Sequence, residues 1–168
     1  MSTLYLVCGP PFSGKTTLAK KITQITGYKY VSTDDIMRNR GFDLSKKNPV
    51  EEWEKTHQEC FKILNNLMKE NHNIVLDDTN FLKKLRDRFR DMAHKQNYKI
   101  VTIYVDISLE ELEKRRKNAV EIGNRKNLDD DAFYPVVNAF EKPDESENTI
   151  MYTLTDTSES WISKYISF

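Results

Sequence analysis

Cysteine is scarce in this chain, with two among 168 residues, and glycine and proline occur only five times each. Two cysteines cannot build a disulfide framework, and a chain of this length can bury a sufficient core without one, so a reducing, cytoplasmic setting is expected. No internal repeat or low-complexity tract is visible, which leaves one domain as the expectation. A surplus of one charge is missing too: 26 Lys and Arg offset 26 Asp and Glu, for a formal net charge of zero. Such a balance argues against a protein that coats nucleic acid through bulk electrostatics, while a local basic groove stays open to it. Long apolar runs are absent. The N-terminal MSTLYLVCGPPFSGK has no basic stretch followed by an extended apolar one, and nowhere do about 18 consecutive apolar residues occur, so neither a secretory leader nor a membrane span is expected.

What the chain does contain is an alternation of short apolar runs with longer helical patterns. Thr3–Cys8, Tyr28–Ser32, Asn73–Leu76, Ile100–Val105 and Thr149–Leu154 read as strands, rich in β-branched and aromatic residues. Between them, Lys15–Thr26, Val50–Glu70, Leu82–Gln96 and Leu109–Asn118 repeat apolar residues at three- and four-residue spacing and read as helices. In the second of these the stripe runs Trp53, His57, Cys60, Phe61, Leu64, Leu67, Met68. Strands joined by helices of this length close right-handed crossovers, which predicts an α/β fold with a parallel sheet covered on both faces. Gly41–Pro49 and Ala119–Asn127 read as loops.

Directly after the first strand, and directly before the first helix, stands Gly9-Pro10-Pro11-Phe12-Ser13-Gly14-Lys15-Thr16-Thr17, a match to G-x-x-x-x-G-K-[ST]. Gly9 and Gly14 let the backbone curl until successive N–H groups point inward at phosphate oxygens, and the helix that follows adds its positive N-terminal dipole. Lys15 is placed to reach the β- and γ-phosphates of ATP, and the Thr16 hydroxyl to ligate Mg²⁺. A phosphate-binding loop alone does not choose among GTPases, ATPases and kinases, so the choice falls to the rest of the chain.

After the second strand, Ser32-Thr-Asp-Asp-Ile-Met-Arg38 opens a helix on which Asp35 and Arg38 share a face. Asp35 there could take a proton from an acceptor hydroxyl while Arg38 holds an anion; equally, Ser32 or Asp34 caps the helix and Asp35 and Arg38 form a surface pair. The third strand ends in Asp77-Asp78-Thr79-Asn80, where an acid can hold Mg²⁺ through water. If the strand runs through both acids they face opposite ways, so one of the two meets the metal. Farther on, Leu109-Glu-Glu-Leu-Glu-Lys-Arg-Arg-Lys117 leads toward Arg125 and Lys126. A cation from such a segment can close over transferring phosphate, and Arg115, Arg116 and Arg125 suit that role better than Lys114 and Lys117, which read as solvated.

GPPFSGKTT, STDDIMR, VLDDTN, ELEKRR with a later arginine, and AFEKPDE (Ala139–Glu145) together resemble the kinase module of phage-type polynucleotide 5′-kinases. The same pattern is shared by the wider group of small P-loop kinases that includes zeta toxins and RNA-modifying kinases. The resemblance spans Leu4 to about Glu145. It implies a single kinase domain over residues 1–168, a three-layer α/β/α fold with a parallel sheet of about five strands, and a helical lid over approximately 109–130. It also implies ATP and Mg²⁺, Asp35 as general base, Arg38 as phosphate clamp at the acceptor, and Asp77, Thr79 and Asn80 in the D-x-T-N role, with Asp78 in its place in the shorter D-T-N form. The R-x-x-x-R lid pattern would use Arg115 and position 119, which is alanine here, so that Arg116 substitutes at the nucleotide or Arg125 takes the role; Arg125 is the expected lid cation. The acceptor implied is a polynucleotide 5′-hydroxyl, over a nucleoside, nucleotide or other small-molecule hydroxyl; the clusters Lys83-Lys84, Arg86, Arg88, Arg90 and Lys114–Lys117 could form a groove for it, or equally a solvated charged face. An ATPase or nucleotide-switch module acting on a protein partner is the reading from a different class.

Overall fold

The structure, a computed structural model, describes residues 1–122, 128–155 and 157–166. In chain order the elements are β1 (Thr3–Cys8), α1 (Lys15–Thr26), β2 (Lys29–Ser32), α2 (Thr33–Asn39), α3 (Val50–Lys69), β3 (Ile74–Asp77) and α4 (Lys83–Lys95). They continue with β4 (Lys99–Val105), α5 (Leu109–Glu121), α6 (Asp130–Asn138), a 3₁₀ turn (Glu145–Glu147), β5 (Thr149–Tyr152) and α7 (Ser158–Tyr165). The five strands form one sheet in the order β2-β3-β1-β4-β5, all pairs parallel.

Alternation along the central strand builds three layers. Leu4 and Leu6 of β1 face α3 and α4 with Leu64, Leu76 and Phe89, while Tyr5 and Val7 face α1 and α7 with Leu18, Ile22, Ile103 and Trp161. β1 is buried on both faces, so it carries no polar side chain between Leu4 and Cys8 apart from the Tyr5 hydroxyl. A third, smaller cluster joins Phe12 of the loop after β1 to Leu112 of α5 and Phe133 of α6, with the two phenyl rings edge to face at 6.0 Å. α5 and α6 therefore pack on the loop after β1 itself.

The strands and four long helices lie where their periodicity places them, to within a few residues at the ends. Two further helices, α6 and α7, fall in stretches whose patterns are short; α6 carries Pro135 in its interior, which breaks the helical signal. α5 continues past Asn118 to Glu121, into the stretch expected as loop. Ser32 caps α2 by accepting from Asp35 N–H at 3.3 Å, as a serine at that position should.

The expected basic groove does not form along α4. Arg86 is fully buried: Nε and Nη2 donate to the two carboxylate oxygens of Glu147 at 2.7 and 2.9 Å, and Nη1 donates to the Asn80 carbonyl at 2.9 Å. Arg90 Nη2 joins the same Glu147 at 2.7 Å, and Arg88 forks onto Glu54 of α3 at 2.8 and 2.9 Å. Lys83 meets Asp87 one turn along the helix, at 3.0 Å. The charge is spent on internal pairs, because the face holding Arg86 and Arg90 turns toward the 3₁₀ turn and not toward solvent.

Candidate active site

The loop between β1 and α1 is tight where a phosphate cradle must be tight. A Cβ on Gly9 would lie 2.7 Å from Ser13 Oγ and 3.2 Å from the Val105 carbonyl, so only glycine fits. Gly14, at φ 94°, caps α1 without a side-chain hydrogen bond, which leaves the first amides of the helix open to an anion. Pro10, Pro11, Phe12 and Ser13 are buried in the turn, and the Ser13 hydroxyl has no hydrogen-bond partner. Lys15 is 7% exposed and makes no ion pair among the described residues. Thr16 is half-buried at the helix start and Thr17 is exposed beside it.

Acids converge on this lysine from the ends of β2 and β3. Asp77 and Asp78 do face opposite sides: Asp77 turns toward the α1 face and accepts from the Tyr30 hydroxyl at 2.8 Å, while Asp78 turns toward α3 and meets His57 Nε2 at 3.1 Å. The second oxygen of Asp77 is buried with no partner. Burial alone would raise Asp78, but the hydrogen bond and charge of His57 outweigh it and hold the carboxyl below the usual range. The same contact raises His57 against the effect of its own burial. Asp34 behaves oppositely. Burial pushes its carboxyl up, the neighbouring Asp78 and Asp77 add to the rise, and Lys15 and Arg38 only partly offset them.

Asp34 and Asp35 thus occupy different places. Asp35 is half exposed and accepts from Arg38 Nη1 at 2.8 Å, with Arg38 equally exposed, the pairing that the helical spacing allowed. Asp34 lies within electrostatic reach of Lys15. Thr79 and Asn80 shape the exit from β3: the Thr79 carbonyl accepts from Gly9 N–H at 3.4 Å, and Asn80 takes a left-handed conformation with its side-chain amide buried and unpartnered. In the sequence Asp34 is marked only as a possible cap, and His57, in an apolar stripe, only as core; its contact with Asp78 joins segments 21 residues apart.

On the lid side, Arg115 reaches the phosphate loop. Its Nη1 donates to the Ser13 carbonyl at 2.9 Å, and Nε is held by Glu111 at 3.0 Å. Arg116 instead binds the lid together, donating to the Leu128 carbonyl and to Asp130 Oδ1 at 2.6 Å, with its guanidinium 4.7 Å above the Phe133 ring. Arg125 lies outside the described residues. The N–H of Asp129, at the start of α6, donates to the Ser45 carbonyl at 3.1 Å, so the lid meets the loop between α2 and α3.

Residues 4–143 match the family described as AAA domain. The chain belongs to that family. Outside the family profile, this AAA domain is 34% identical over 125 residues to an adenylate kinase of Petrotoga mobilis, a match covering 67% of this chain and 56% of that relative's length. A kinase structure from Chloroflexus aurantiacus superposes with a TM-score of 0.78 at 12% identity, covering 99% of both chains. The Mycobacterium tuberculosis APS kinase, bound to AMPPNP and APS, superposes with a TM-score of 0.73 at 13% identity, covering 98% of this chain and 95% of that one. The three-layer α/β/α fold with its five-stranded parallel sheet is the fold of these kinases. Among the described residues no helix is long and apolar enough to cross a membrane.

Proposed function

We propose that this protein is an ATP-dependent kinase that transfers the γ-phosphoryl group to a hydroxyl of a small molecule. The observation that carries the chemistry is Lys15: a buried, unpaired ammonium inside a glycine-shaped loop, with Asp34 and Asp78 beside it. A buried lysine that makes no direct ion pair among the described residues is costly, and the phosphates of a nucleoside triphosphate are the ligand the surrounding open amides and Gly9–Thr17 backbone suit.

The acids fit Mg²⁺. The partnerless buried oxygen of Asp77 lies at the strand end beside the phosphate loop, and no group of three or more His, Cys, Asp or Glu among the described residues could hold a metal by side chains alone. That is the donor set of an ion bound through phosphate oxygens and water, with the Thr16 hydroxyl and Asp77 as the protein's contributions and Asp78 beside them. When bound, Mg²⁺ would offset the negative charge of the phosphates.

In the reaction as we read it, Asp34 accepts the proton of the acceptor hydroxyl as that oxygen attacks the γ-phosphorus. The new O–P bond forms as the bond to the β-phosphate oxygen breaks, and ADP leaves. Asp34 is preferred to Asp35 as base because burial raises its carboxyl toward a useful proton affinity and places it by Lys15. Arg38, exposed on the same helix, is suited to hold an anionic part of the acceptor. Arg115 and Arg125 are the lid cations of this reading, with Arg116 holding the lid together and Arg115 already at the loop.

The small acceptor is supported by the contact of Asp129 with Ser45, which joins the start of α6 to the α2–α3 loop, and by the pairing of Arg86, Arg88 and Arg90 with acids of this chain. A polynucleotide draws much of its affinity from free cations, and α4 offers few. Labelled phosphate from ATP is expected on a nucleoside, nucleotide, sugar or sugar acid. Labelling of a 5′-hydroxyl oligonucleotide instead, with activity that falls as salt rises, would return the acceptor to nucleic acid.

A further inference from the structure

The buried contact between His57 and Asp78 has no part in the transfer just described. Among the described residues it is the one hydrogen bond by which α3 reaches the end of β3. Both side chains are nearly removed from water, at 11% and 9% exposure, and such burial of polar groups is costly unless their contact is made. The imidazole is further held by Phe89 of α4, edge to face with centroids 6.1 Å apart. Asp78 is itself anchored to the central strand, its N–H donating to the Val7 carbonyl at 3.4 Å.

Asp78 also feels the charge of Lys15. A carboxylate there that nothing held could turn to that ammonium, and the resulting ion pair would occupy the cation meant for phosphate. In the structure that does not happen: Lys15 has no ion pair among the described residues, and the Asp78 oxygen is taken by the histidine.

We propose that His57 is a positioning residue of the phosphate site: it holds Asp78 off Lys15, so that Lys15 stays available to the phosphates and Asp78 keeps a fixed orientation at the end of β3. The proposal rests on the kinase reading above. It does not depend on ionisation of the ring, since Nε2–H donates in one neutral tautomer and in the charged form alike.

Binding without turnover tests it. AMPPNP is titrated without Mg²⁺ into the wild type, H57L, H57Q and H57L/D78N, with folding of each checked by circular dichroism. H57L is expected to bind about tenfold or more weakly, the scale of a lost hydrogen bond to a charged group. H57Q, whose amide donates from nearly the same place, is expected to recover most of the affinity. H57L/D78N is expected to recover it too, because no carboxylate remains to capture Lys15. A merely structural histidine would not give that second rescue. Unchanged affinity in H57L, or a loss that D78N does not relieve, overturns the proposal while leaving the kinase reading in place. A wild type that binds no AMPPNP overturns the kinase reading and this proposal with it. Should H57L not fold, H57N, whose shorter amide cannot span to Asp78, carries the same expectations.

Discussion

Asp34 and Asp35 are neighbours in sequence and about 100° apart around α2, and that rotation separates an acid beside Lys15 from one exposed with Arg38. Asp34→Asn is expected to lower kcat by about 10²–10⁴-fold, the range of a lost general base, with nucleotide affinity little changed. Asp35→Asn, which loosens only an exposed pair, should cost far less; steady-state kinetics of the two variants checks the order. A base works only when ionised, so the rate falls as pH drops through its pKa. Burial raises Asp34, which puts the acid limb of kcat/KM above the ordinary aspartate value of 3.8. A pH–rate profile on wild type and Asp34→Asn should show that limb in the first and not in the second. The phosphate loop was legible residue by residue because its chemistry fixes a spacing. The choice between two adjacent acids was not, since it depends on which way the first turn of α2 faces when docked against β3.

At the scale of elements, the 3₁₀ turn before β5 is bolted to α4 through Arg86, Arg90 and Glu147. Burial would raise Glu147, but the hydrogen bonds from Arg86 and Arg90 overcome it and bring the carboxyl down to about 2 from an ordinary 4.5. A lowered folded-state pKa stabilises above the unfolded value and is lost as the carboxylate protonates, so this contribution is full above about pH 4.5 and disappears toward pH 2. Glu147→Gln removes the charge but leaves both arginines buried, and urea unfolding at pH 7 should show a loss of about 3–5 kcal/mol. Below about pH 2 variant and wild type should converge. None of this was readable from the sequence. Arg86 and Arg90 on one helical face look like a solvent-facing or nucleic-acid-facing stripe until their partner, Glu147, is brought in from 61 and 57 residues away. α6 and α7 were missed for a related reason: each is short, and α6 buries Phe133 against Phe12 through a contact between distant segments.

For the whole molecule, five parallel strands and the long helices followed from local apolar period, because a sheet covered on both faces demands it of each strand separately. The order β2-β3-β1-β4-β5 could not follow from local period and is seen directly, with the phosphate loop leaving the central strand and the acids at the ends of β3 beside it and of β2 beyond. α5 and α6 pack on Phe12 of that loop, and the start of α6 touches the α2–α3 loop. Phosphoryl transfer dependent on Lys15 is the central claim. The measurement is transfer from γ-labelled ATP, in Mg²⁺, to a panel of nucleosides, nucleoside monophosphates, sugars, sugar acids and a 5′-hydroxyl oligonucleotide, by wild type and by Lys15→Ala. A labelled small-molecule product from the wild type is expected, with a loss of about 10²-fold or more in the variant, whose folded state should be intact by circular dichroism. Label released only to water by the wild type, or transfer undiminished in Lys15→Ala, would contradict it.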